Sequence, residues 1–156
     1  MKLLRITAEG LPLFKEKLDL TFYAQQRISE EQKSILYPLF SNIYLNSATG
    51  FIGINASGKT SVLRVILLAL EIINNEPINH IETRDILGDA KEVKLNMYFF
   101  FEKTNEICRL ETIVTSQKSK SEGINYSIVS ESLWTKGVDE VITRKAMLDF
   151  ERREPI

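Results

Sequence analysis

The chain has 156 residues, the size of one domain, and can bury roughly two-thirds of its unfolded surface. Apolar residues make up 44% and charged residues 26%, which excludes a disordered tail, a collagen-like repeat and a coiled-coil rod. With 20 Lys and Arg against 21 Asp and Glu the net charge is −1, so the basic surplus of a protein built mainly to neutralise nucleic-acid phosphates is missing.

In chain order, apolar residues first recur at every second position in Leu4, Ile6 and Ala8 and again in Leu18, Leu20, Phe22 and Ala24. Two strands follow, with Gly10 and Pro12 marking a turn or bulge between them. Residues 29–37 fit a short helix or an irregular surface loop. For the helix, Ser29 is the cap, Gln32 holds the capping-box position and Pro38 is the stop. Residues 42–45 and 51–54 are short apolar runs that fit buried strands. Residues 60–73 are apolar nearly all round, so a helix there should be covered on most sides. Asn74, Asn75 and Pro77 end it.

The period then returns to two. Val93, Leu95, Met97, Phe99 and Phe101 share one face of a strand, and residues 103–105 look like a hairpin connection. Cys108, Leu110 and Val114 share a face of the next strand. Tyr126 and Ile128 continue the pattern after a polar loop over residues 116–123, and residues 143–153 fit a terminal helix. Links this short impose antiparallel pairing, because a parallel crossover needs a dozen or more residues. The expected fold class is α+β in a single unit over residues 1–156: one buried helix with an antiparallel β-sheet attached.

Cys108 is the one cysteine and His80 the one histidine. An internal disulfide is therefore excluded, a Cys/His metal site lacks material, and both residues are expected in packing or surface roles. The opening MKLLRITAEG lacks the apolar run of a signal peptide. The greasiest stretch, residues 62–73, is broken by Arg64 and Glu71 and is too short to span a bilayer. A soluble, cytoplasmic protein with no membrane partner is the expectation.

Residues 53–60 read Gly53-Ile54-Asn55-Ala56-Ser57-Gly58-Lys59-Thr60, which fits G-x-x-x-x-G-K-[ST], the Walker A phosphate-binding loop. Gly53 and Gly58 permit backbone conformations that a Cβ would forbid, so successive N–H groups can turn inward and form an anion-binding nest. The loop feeds the N-terminus of the apolar helix, whose unsatisfied donors and positive dipole end favour phosphate. Lys59 can reach the β- and γ-phosphates, and Thr60 can offer its hydroxyl to Mg²⁺. A chance match in a chain of this length is on the order of one in two hundred.

The fuller segment F-I-G-I-N-A-S-G-K-T-S-V-L-R-V-I-L resembles the G-x-N-x-S-G-K-[ST] loop of ABC-type ATPases of the RecF, SMC and OLD-nuclease kind. Such chains open with a strand similar to residues 1–8, reach the loop about fifty residues on and continue into an antiparallel sheet. The resemblance runs from residue 1 to about Ser130, beyond the loop in arrangement rather than in residues. It implies that Asn55, Ala56, Ser57, Gly58, Lys59 and Thr60 wrap ATP, with Ser61 near the α-phosphate. The Arg that relatives often place near the nucleotide after the first strand is missing from Glu9-Gly10-Leu11-Pro12-Leu13-Phe14.

Hydrolysis also needs a Walker B strand ending in Asp, with an adjacent Glu to polarise water. Asp139-Glu140 follows no apolar run and reads as a solvated turn, and no S-G-G-like signature occurs. In the resembled family both features lie downstream. The resemblance therefore implies an N-terminal lobe alone, from a truncated chain, a split gene product or a longer polypeptide. Such a lobe is weak or inactive as an ATPase until a second half or protomer completes it, in a homo- or hetero-oligomer. DNA enters as a partner through the resemblance only.

Gln117 could be the glutamine linking nucleotide to the second half, against an ordinary loop glutamine. Arg144, Lys145, Arg152 and Arg153 could touch a phosphate or line a solvated face. Tyr126 and Trp134 read as sheet-packing aromatics rather than an adenine platform. The alternatives are a P-loop small-molecule kinase, a GTPase and a non-hydrolysing nucleotide-binding module. The kinase would open with the loop strand and carry an Arg-rich lid. For the GTPase, Thr135-Lys136-Gly137-Val138-Asp139 misses N-K-x-D by one position.

Overall fold

The computed structural model describes residues 1–54, 58–119 and 123–156. A five-stranded antiparallel sheet forms the frame, in the order β2-β1-β5-β6-β7. Its strands are β1 (Lys2–Glu9), β2 (Leu18–Thr21), β5 (Glu92–Phe101), β6 (Glu106–Ser119) and β7 (Gly123–Gly137). A two-stranded sheet of β3 (Tyr37–Phe40) and β4 (Ile43–Leu45) touches the frame through a Tyr23–Leu45 bridge. The helices are α1 (Glu30–Lys33), α2 (Lys59–Ile73), α3 (Ile81–Leu87) and α4 (Arg144–Met147). The mixed α+β class and the antiparallel sheet are as the sequence implies.

The main core lies between the sheet and α2. Val65, Leu68, Ala69 and Ile72 recur at the three- and four-residue spacings that align one helix face, and all four are buried. They pack in one cluster with Ile6, Ala8, Val93, Leu95, Met97 and Val114 from the strands, and with Ile86 and Leu87 from α3. Each fully buried Leu or Ile there stabilises the fold by about 1.5–3 kcal/mol. A second cluster joins Leu4, Tyr98, Phe100 and Ile107 to Ile43 and Leu45 and to Met147 and Phe150 of the C-terminal segment.

Several local expectations hold in detail. Ser29 and Gln32 form the capping box of α1, with Gln32 N–H donating to Ser29 Oγ at 3.3 Å and Ser29 N–H to Gln32 Oε1 at 3.0 Å. Asn75 ends α2 at φ +57°, a left-handed position that Asn tolerates well. Asn105 takes the same region, φ +55°, in the β5–β6 turn.

Other expectations are corrected. Residues 51–54 form no strand, and Ile52 and Ile54 are 100% and 84% exposed. The reason is topological: a strand needs a neighbour's backbone groups, and among the described residues none lies beside this run. As expected α2 is covered on most sides, but Leu63 and Leu67 stand 51% and 53% exposed along one stripe. Pro38 does not stop α1, which ends at Lys33; it lies in β3, an edge strand, where a missing N–H does no harm. Of the polar loop expected over residues 116–123, residues 116–119 and Gly123 are strand, with Ser116 opposite Tyr126 and Gln117 opposite Asn125, and residues 120–122 lie outside the described residues. The terminal helix shrinks to one turn, α4, capped by Thr143, and α3 was not anticipated.

Candidate functional site

Residues 58–61, the end of the G-x-x-x-x-G-K-[ST] segment, sit at the head of α2. Gly58 is the N-cap at φ +86° and ψ +10°, a left-handed conformation costing an L-residue about 1–2 kcal/mol. The loop spacing therefore needs glycine at 58 for its backbone. Gly58 C=O accepts from Val62 N–H at 2.9 Å, starting the helical ladder. Having no side chain, Gly58 offers the first N–H groups no capping acceptor, and the first turn carries no carboxylate.

Lys59 reaches back across the loop. Its Nζ donates to Gly53 C=O at 2.8 Å and to Ile54 C=O at 2.7 Å, which brings Gly53 and Lys59 together. Thr60 is exposed and Ser61 half-buried on the same turn. Asn55, Ala56 and Ser57 lie outside the described residues. Among the described residues no group of three or more His, Cys, Asp or Glu is gathered to hold a metal ion.

The remaining sequence-flagged residues lie elsewhere, with structural partners of their own. Asp139 and Glu140 occupy a 3₁₀ turn, Val138–Glu140, and the Glu140 carboxylate pairs with Arg153 and accepts from Gly137 N–H at 3.1 Å. The solvated-turn reading is the one the fold bears out. Arg153 also donates to Thr135 C=O at 2.9 Å, and Arg144 donates to the carbonyls of Gln25 and Gln26. Lys145 and Arg152 are exposed. Tyr126 is buried, its hydroxyl donating to Gly88 C=O at 2.7 Å, and Trp134 lies under the Arg109 guanidinium at 4.6 Å. Both aromatics pack the sheet. Burial pushes the Cys108 thiol up to about 11, and exposed His80 is the N-cap of α3.

Two constellations have no clear sequence signature. Lys136 is buried, donates to the carbonyls of Ala146 and Asp149, and lies 4.2 Å from the Phe150 ring centre. Burial, foremost, lowers its pKa. The lysine of the N-K-x-D near-miss thus fastens the C-terminal segment to the sheet. Arg5 and Asp19 form a two-pronged pair across β1 and β2, with Arg5 Nε donating to Asp19 Oδ1 at 2.8 Å. That hydrogen bond holds the Asp19 carboxyl below its ordinary value. The pair borders an open cleft of about 740 Å³ with Tyr23, Gln25, Gln26 and Asn46. Fourteen residues separate Arg5 from Asp19, and strand register, not sequence spacing, makes them neighbours.

Comparison with known proteins returns no matching family model, no matching curated protein and no matching solved structure.

Proposed function

We propose that this chain is the ATP-binding lobe of an ABC-type ATPase of the RecF, SMC and OLD-like kind, taking Mg-ATP at the loop of residues 53–61. The observation that carries this reading is the head of α2. A glycine in the left-handed region starts the helix without a side-chain cap, and the next residue is a lysine folded over the Gly53 and Ile54 carbonyls. A polyphosphate would offer Lys59 Nζ stronger acceptors than those two carbonyls and would meet the first N–H groups of α2. Thr60, solvent-facing on the first turn, would hold Mg²⁺ through its hydroxyl, and Ser61 would lie nearest the α-phosphate. The metal neutralises phosphate charge when bound.

The same region supports the need for a second half or protomer. Ile52, Ile54, Leu63 and Leu67 expose four large apolar side chains on the approach to the loop and on the next two turns of α2. Apolar side chains left in water on that approach would be covered by such a partner. Asp139 and Glu140 are committed to the C-terminal turn, so the carboxylates for hydrolysis would come from that partner, and the chain alone would turn ATP over very slowly.

The test is binding of a fluorescent ATP analogue with Mg²⁺. Lys59→Ala removes a charged phosphate contact of about 1.5–3 kcal/mol, roughly a 10- to 150-fold loss of affinity. Unchanged affinity in a folded Lys59→Ala variant refutes the site.

A further inference from the structure

The outer edge of β7 is occupied at both ends and open between them. At one end the Asn79 side-chain amide stands in for a neighbouring strand: Nδ2 donates to Tyr126 C=O at 3.0 Å, and Oδ1 accepts from Tyr126 N–H at 2.8 Å. At the other end Ile156 N–H donates to Leu133 C=O at 2.8 Å, and Arg153 donates to Thr135 C=O at 2.9 Å. These contacts fix which backbone groups face away from β6. Residues two apart on a strand point the same way, so Ile128 faces outward with Tyr126, and Glu131 faces outward with Leu133.

A bulge at Val129, where the register steps from Ile128 opposite Val114 to Ser130 opposite Ile113, reconciles the even and odd rows. Among the described residues no partner meets the N–H or C=O of Ile128 or Glu131. Residues 127–131 are all exposed, in a run opposed on the β6 side by buried Thr112 and Val114.

We infer that this window of β7 is a docking edge for one short extended segment of a partner protein, which adds a sixth strand to the sheet. Unpaired donors and acceptors in strand geometry select a strand, and the two caps limit it to about four to six residues. Side chains opposite the edge set its chemistry: a β-branched residue against Ile128 and a cation against the Glu131 carboxylate.

A second copy of this chain does not fit. Pairing Ile128 with Glu131 of the copy also sets Tyr126, bracketed by Asn79, against Leu133, held by Ile156, so two caps would claim one place at each end. The inference is independent of nucleotide binding.

The probe is a fluorescein-tagged peptide, Thr-Lys-Thr-Val-Thr, titrated against the full chain by polarisation, with amide hydrogen exchange followed by NMR. Expected are saturable binding, slowed exchange of the Ile128 and Glu131 amides, and at least tenfold weaker binding by Ile128→Pro. That substitution deletes an outward N–H and leaves the β6 ladder intact. As a control independent of any folding defect, the same peptide carrying N-methyl groups on its backbone should fail to bind the unaltered protein. Absence of binding at millimolar peptide, protection mapping elsewhere, equal binding by the N-methylated peptide, or a β7–β7 dimer in the chain alone would each overturn it.

Discussion

At the scale of single residues, two glycines share one conformation and differ in what surrounds them. Gly10 and Gly58 have φ near +83° and +86°. A Cβ on Gly10 would lie 2.4 Å from the Glu92 carbonyl oxygen, whereas one on Gly58 would meet nothing within 4 Å. Gly58→Ala is therefore expected to cost about 1–2 kcal/mol of backbone strain, while Gly10→Ala costs that plus a main-chain clash that β1 and β5 must shift to relieve. Urea unfolding should rank Gly10→Ala as the less stable of the two. Nucleotide affinity should rank them the other way, because only Gly58 shapes the loop; equal affinity losses would detach Gly58 from the site.

At the scale of elements, α2 divides into a buried face and an open one. Leu68→Ala should destabilise by about 2–5 kcal/mol. Leu63→Ser and Leu67→Ser should each stay within about 0.5 kcal/mol, a contrast that chemical denaturation reads directly. A large loss at Leu63 or Leu67 would mean that the open face is already covered in the isolated chain. The buried face was legible because Val65, Leu68, Ala69 and Ile72 keep helical spacing, and the core strands because period two survives through β1 and β5. Residues 51–54 were misread because apolarity alone does not make a strand: Ile52 and Ile54 have strand chemistry without a strand to bond. The β6–β7 hairpin outruns its apolar pattern because ladder hydrogen bonds tolerate polar side chains once both faces meet water. Seven-residue α3 is too short for periodicity to declare itself, and the end of the chain is shaped less by helix propensity than by Lys136, a long-range contact no local pattern encodes.

At the scale of the whole molecule, the sheet is packed by α2 and α3 in one cluster and by the C-terminal segment with β3 and β4 in the other. Gly58 and Lys59 stand where α2 begins, and Ile52 and Ile54 before it and Leu63 and Leu67 on it are exposed. Of the candidate site, the left-handed Gly58 ahead of α2 was legible in sequence, since it follows from a local backbone need; the exposure of Ile52, Ile54, Leu63 and Leu67 was not, since exposure is a property of the fold. No helix among the described residues is long and apolar enough to cross a bilayer. The most direct measurement of the central claim is thermal unfolding of the chain with and without Mg-ATP, alongside Lys59→Ala. A ligand at a hundred times its Kd adds about 2.7 kcal/mol, so the midpoint should rise by about 5–10 °C in the native chain and, with the roughly 10- to 150-fold weaker site, by about half as much or less in the variant. An unmoved midpoint in the native chain, or the same rise in Lys59→Ala, would contradict a phosphate site at the head of α2.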